Sequence, residues 1–131
     1  VYPALIHQFI GEGSELITTI TNDAWFGRSS APHQHFAQAA MRAVEQGRYL
    51  VRSANTGISG IVDPYGRVLA RTELFTRDTV VGDVRWLQGK TIYGRTGDLF
   101  ASLCSLFSIA GLLVLGTMRL SRKPSVRRRP L

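Results

Sequence analysis

The sequence predicts a layered α/β domain followed by a single transmembrane helix. Three observations predict it. Helix-like and strand-like segments alternate over the first three quarters of the chain. A strong reverse-turn sequence, Asp63-Pro64-Tyr65-Gly66, separates two strand-like runs. The 20 residues 99–118, LFASLCSLFSIAGLLVLGTM, then carry no charge at all.

The elements follow in order. Residues 3–10 suit a short helix, with Pro3 at its first position, Gly11 ending it, and Leu5, Ile6, Phe9 and Ile10 on a broad apolar face. Gly13 and Ser14 turn the chain into a strand over 15–21. After the loop that follows, Ser30 is placed to cap a helix beginning at Ala31 or Pro32. Its core side is expected at Phe36, Ala40, Ala43 or Val44, and Gln46-Gly47 ends it. Residues 49–54, 58–62 and 67–71 read as strands, the last two as a hairpin. Residues 79–84 read as one more strand, and 86–97 as an irregular stretch. No internal repeat is present. Two helices cover only one face of such a sheet, and the chain opens on apolar Val1-Tyr2 without a Met. Residues 1–98 are therefore expected to be part of a larger domain, and the chain a fragment.

Charge is divided along the chain. Residues 1–98 hold ten Arg/Lys against nine Asp/Glu, a net of +1, whereas residues 99–131 hold six basic residues and no acidic one. The basic excess belongs to the tail and not to a folded face, which argues against a nucleic-acid partner. A 20-residue helix spans roughly 30 Å, the thickness of a bilayer's hydrocarbon core. Ten of the residues in 99–118 are Leu, Ile, Phe or Val. Asp98 closes one end; Arg119, Arg122, Lys123 and Arg127-Arg128-Arg129 crowd the other. The positive-inside rule then puts the tail, 119–131, in the cytoplasm and residues 1–98 across the membrane. Ser102, Ser105 and Ser108, with Ala101 and Gly111, give the helix a small-residue side suited to close helix packing.

The stretch Thr21 to Gly27, TNDAWFG, draws attention as a site. Two large aromatics, Trp25 and Phe26, stand among loop-forming Asn22, Asp23 and Gly27. Aromatics offer a ligand large apolar area with little rotamer entropy to lose, and Asn22 and Asp23 can fix the loop through their own backbone. The same residues also suit a core anchor for the loop, and composition does not decide between the two. His33 and His35, two apart, do not share a helix face, and no further ligands accompany them. A capping or packing pair fits better than a metal site. Glu45 suits an i, i+3 ion pair with Arg42 or Arg48. The single cysteine, Cys104, lies in the apolar segment, where burial keeps a thiol protonated and inert.

Four features in order carry a resemblance: Asn22-Asp23-Ala24-Trp25-Phe26-Gly27; His33-Gln34-His35; Arg42-Ala43-x-Glu45-x-Gly47-Arg48; and Asn55-x-Gly57 with Asp63-Pro64-x-Gly66. Together they resemble the carbon–nitrogen hydrolase (nitrilase) superfamily. Tyr93-Gly94-Arg95-Thr96-Gly97-Asp98, leading into a last membrane helix, resembles the apolipoprotein N-acyltransferase branch of it. The resemblance implies a partial nitrilase-like α-β-β-α sandwich over 1–98, a transmembrane helix over 99–118 and a basic tail over 119–131. It implies an enzyme of the bacterial inner (cytoplasmic) membrane. That enzyme passes an acyl chain from a phospholipid donor, through a cysteine thioester, to the amine of a diacylglyceryl-cysteine lipoprotein. It also implies that Trp25, Phe26, Asn22 and Asp23 border the substrate pocket. The family's Cys lies in a Cys-Tyr-Glu stretch before the position matching Tyr2-Pro3, and its Glu and Lys lie further upstream. No catalytic residue is therefore expected in this chain, and neither a cofactor nor a metal. Two alternatives remain: a membrane-anchored nitrilase-type amidase, and a non-catalytic membrane-tethered binding module.

Overall fold

The computed structural model describes residues 2–121. The basic tail beyond Ser121, with Arg122, Lys123 and Arg127-Arg128-Arg129, lies outside the described residues. The chain divides into two compact units, one ending at Gly97 and the other beginning at Asp98.

The first unit runs α1 (Pro3–Gly11), β1 (Ile17–Asn22), a single 3-10 turn (Ala24–Phe26), α2 (Ala31–Gln46), β2 (Leu50–Asn55), β3 (Gly60–Val62), β4 (Val68–Arg71) and α3 (Ile92–Thr96). The four strands form one sheet in the order β1-β2-β3-β4. β1 and β2 pair in parallel, from Ile17 opposite Leu50 to Asn22 opposite Asn55. Parallel neighbours need a long crossover, and α2 supplies it. β2, β3 and β4 continue as an antiparallel meander.

α2 lies close to the sheet because its inward positions are small. Ala39 and Ala43 are fully buried beside Phe36, against Ile17, Leu50, Ile58 and Val62, with Ile10 of α1 closing the cluster. Ala39 joins this face, the expected Ala40 packs half-buried against the cluster, and Val44 turns outward. Ser30 makes no side-chain cap; the hydroxyl of Ser29 accepts the Ala31 N–H instead, at 3.2 Å. The β3–β4 turn is built on Asp63, whose carboxylate accepts from the Tyr65 N–H at 2.8 Å, the Arg67 N–H at 2.9 Å and Arg67 Nε at 2.6 Å.

Two expectations fail. Residues 79–84 form no strand: Gly82 and Asp83 interrupt the run, and no β-ladder pairs with it among the described residues. The stretch 86–97, expected to be irregular, contains α3, whose first turn is capped by the Thr91 hydroxyl accepting from Gly94 N at 2.8 Å. Arg42 and Glu45 pair at 2.5 Å, as their spacing predicts. Arg48 does not join them. It is buried, and donates to the carbonyls of Ser14, Gln46, Gly47 and Gly89, tying the end of α2 to the chain at Ser14 and at Gly89.

The second unit is α4 (Leu99–Ser121), long and apolar enough to cross a membrane. Phe100, Phe107 and Leu112 are exposed on it. The hydroxyls of Ser102, Ser105 and Ser108 donate to the carbonyls of Asp98, Ala101 and Cys104 four residues back, at 3.0, 2.9 and 2.8 Å. These hydroxyls are thus satisfied within the helix, as an apolar surrounding demands.

Candidate functional site

The carboxyl ends of two parallel strands are where open α/β sheets place their ligands. Here those ends are Asn22 and Asn55, opposite each other in register. Their side chains meet, Asn55 Nδ2 donating to Asn22 Oδ1 at 3.3 Å, and the same Asn22 oxygen accepts from Ala24 N at 3.1 Å. That local bond starts the 3-10 turn, and Trp25 Nε1 closes it by donating to the Asn22 carbonyl at 3.0 Å. Gly27, at φ 57°, ends it. Neither aromatic is buried: Trp25 is 82% exposed and Phe26 41%. Of the two readings that composition left open, the core-anchor reading is not what this loop displays.

Asp23 does the anchoring. It is 1% exposed, its N–H donates to Asn55 O at 3.2 Å, and its carboxylate is shared between an arginine and a histidine. Arg52 Nη2, on a fully buried side chain, donates to Oδ2 at 3.0 Å. His35 Nδ1 lies 2.8 Å from Oδ1. Burial holds the Arg52 guanidinium below its ordinary range, and the charge and hydrogen bond of Asp23 offset this only in part. Arg52 Nε donates to the Ile58 carbonyl at 3.2 Å. His35 in turn meets Phe26 edge to face, their ring centroids 6.0 Å apart. Asp23 therefore links the loop, α2 and β2. Its partners are not the local backbone groups the sequence suggested, and its side chain lies beneath the loop surface.

Gly57 belongs to the same construction. A Cβ there would lie 2.4 Å from Asp23 Oδ2, so the strand-end turn needs a residue without a side chain. Next to it, Thr56 and Phe75 are, among the described residues, the two non-glycine residues with positive φ, at 58° and 59°. They are bonded to each other, Phe75 N donating to Thr56 O at 3.0 Å. The guanidinium of Arg28 lies over the Phe75 ring, 4.8 Å from its centroid. A recess of about 370 Å³ opens here, lined by Ser53, Asn55, Thr56, Ser59, Thr72 and Phe75 among others.

The two histidines part company. His35 joins Asp23, while His33 lines a separate hollow between α2 and β4. No group of three or more His, Cys, Asp or Glu suited to a metal occurs among the described residues. Sequence reasoning passed over Arg52, Arg28 and Phe75. The signal for Arg52 was available: it sits two residues from Leu50 on a strand, hence on the core face, where a charge requires a partner.

Residues 1–88 match the carbon-nitrogen hydrolase family. The chain belongs to that family. It is 44% identical over 123 residues to the apolipoprotein N-acyltransferase of Geobacter metallireducens, an alignment covering 94% of this chain and 23% of that protein. It is 42% identical over 119 residues to the protein of the same name from Gloeobacter violaceus, covering 91% of this chain and 22% of the relative. With that of Pseudomonas paraeruginosa it shares 36% identity over 129 residues, or 98% and 24%. The chain spans about a quarter of the length of these curated relatives.

Proposed function

We propose that this chain forms one wall of the acyl pocket in a membrane N-acyltransferase that matures lipoproteins. The observation that carries the reading is the exposure of Trp25 and Phe26 on a loop anchored from below by Asp23, Arg52 and His35. Large apolar side chains kept in water by a stiff loop are poised for an apolar ligand, because the ordering cost is met before binding. The names of the relatives and the apolar helix α4 support an acyl chain as that ligand and a membrane as its source.

On this reading Trp25 and Phe26 touch the acyl chain. Asn22 and Asp23 belong to the same site, but Asp23, being buried, acts by holding the loop. A cysteine thiolate supplied from outside these 131 residues attacks the ester carbonyl of a phospholipid, releasing the lysolipid and forming a thioester. The amine of a diacylglyceryl-cysteine lipoprotein then displaces the thiolate to give the amide. The bacterial inner membrane is the setting, with residues 1–98 on its outer side and 119–131 in the cytoplasm. The isolated 131 residues form no acyl-enzyme, since Cys104 sits in the apolar helix without a neighbouring base.

The test is to read the encoding DNA upstream of Val1. An in-frame Cys-Tyr-Glu directly before it, preceded by several hydrophobic helices, is the expected result. A stop codon followed by a start near Val1 overturns the acyltransferase reading.

A further inference from the structure

The chain holds three histidines, and one of them stands apart. Among the described residues only His35 has a carboxylate bonded to its ring, Asp23 Oδ1 at 2.8 Å from Nδ1. His7 buries its Nδ1 without a partner, and His33 lines the separate hollow between α2 and β4.

The hydrogen-bond partners settle which nitrogen of His35 carries the hydrogen. Arg52 Nη2 lies 3.1 Å from Nδ1. A carboxylate oxygen only accepts and a guanidinium only donates, so Nδ1 bonds to one of the two. Asp23 is the nearer, and Arg52 Nη2 already donates to its other oxygen at 3.0 Å. Nδ1 therefore donates to Asp23, and the lone pair of the neutral ring is on Nε2. Nε2 bonds to no described residue and is not sealed in the core. The side chain is 23% exposed and meets the Phe26 ring edge to face.

A buried carboxylate behind Nδ1 and an open Nε2 in front is the arrangement by which a histidine takes up a proton. The carboxylate fixes the tautomer and steadies the imidazolium that forms. A loop anchor uses the Nδ1 bond alone and has no need of an open Nε2. An amine that attacks an acyl group must shed a proton as its new bond forms, and a positioned base speeds that step. Trp25, Phe26 and Asn22 have no basic group to receive the proton, and Asp23 is buried with both oxygens engaged.

We propose that His35, oriented by Asp23, is the proton acceptor of the transfer step. The amine nitrogen bonds to the thioester carbonyl carbon and its proton moves to His35 Nε2. The C–S bond then breaks, its electron pair leaves on the thiolate, and the imidazolium releases the proton to water. The proposal rests on the acyltransferase reading and adds the residue that deprotonates the acceptor.

The test uses the full-length protein in detergent. Acyl-enzyme is first formed from phosphatidylethanolamine with a labelled acyl chain, then chased in a single turnover by one of two nucleophiles. The first is a synthetic diacylglyceryl-cysteine peptide; the second is hydroxylamine, which is reactive and uncharged near neutral pH and has little need of a base. His35→Gln is expected to slow the peptide chase about a hundredfold, the lower end of what a positioned base contributes, and to change the hydroxylamine chase little. Asp23→Asn, which lets the ring move its hydrogen to Nε2, is expected to give the same split. Equal slowing of both chases marks His35 as a loop anchor only and overturns the proposal. An undiminished peptide chase in either variant overturns it too, and in both cases the acyltransferase reading stands. A wild-type protein that forms no acyl-enzyme overturns that reading, and the proposal falls with it.

Discussion

At the scale of single residues, the TNDAWFG loop depends on a position where a side chain is missing. Gly57 does not have a left-handed backbone, so any cost of Gly57→Ala is steric. A new methyl group would meet Asp23 Oδ2 at 2.4 Å and its Cβ and Cγ at 2.8 Å. Asp23 has no room to yield, because His35 and Arg52 hold both carboxylate oxygens. Gly57→Ala is expected to cost about 1–3 kcal/mol, the range for overpacking a filled site. Gly11→Ala is the control: no atom lies within 4 Å of a Cβ there. Chemical unfolding of the two variants checks this. Equal stabilities would mean that Asp23 is not pinned as described. The role of Gly57 was hidden in the sequence, where Asn55-Thr56-Gly57 reads as an ordinary turn. Only the long-range bonds of Asp23 reveal why a glycine is required.

At the scale of elements, the β3–β4 hairpin gives a pH signature. Burial by itself raises the Asp63 carboxyl, but the Arg67 N–H, the Arg67 guanidinium and the Tyr65 N–H together outweigh it and hold the group below its ordinary value. A carboxylate depressed in the folded state binds its proton more readily when unfolded. Its stabilising contribution is present above the unfolded value of about 3.9 and is lost as pH falls through the lower folded value. Asp63→Asn keeps an acceptor oxygen for the turn and removes the titration. It is expected to flatten the acid limb of a thermal-midpoint profile below about pH 4, leaving its shape near neutrality unchanged. An unchanged acid slope would assign acid unfolding to other carboxylates. This hairpin was legible in advance, since Asp63-Pro64-Tyr65-Gly66 encodes it locally. So were α1 and α2, whose apolar spacing and end signals are local too. The supposed strand at 79–84 was not: local alternation does not tell whether a partner strand is within reach. α3 escaped notice for the opposite reason, being only five residues long and fixed by the Thr91 cap.

At the scale of the whole molecule, the division at Gly97–Asp98 separates two kinds of surface. The first unit buries Ile, Leu, Phe and Ala in one core, whereas α4 exposes apolar side chains and spends its serine hydroxyls on its own carbonyls. Those are the demands of two solvents, water and lipid. On the proposed topology the charges flanking α4 set its direction, with no basic counterweight beyond +1 over residues 1–98. Orientation is checked by labelling the full-length protein in intact spheroplasts with a membrane-impermeant maleimide. A cysteine placed at exposed Glu73 should react without permeabilisation, and one placed at Ser125 only after it. Cys104, within the apolar helix, should remain silent in both, so it need not be removed from the background. Labelling of the Ser125 position in intact spheroplasts would reverse the topology. Trp25 and Phe26 would then face the cytoplasm, against the proposed function.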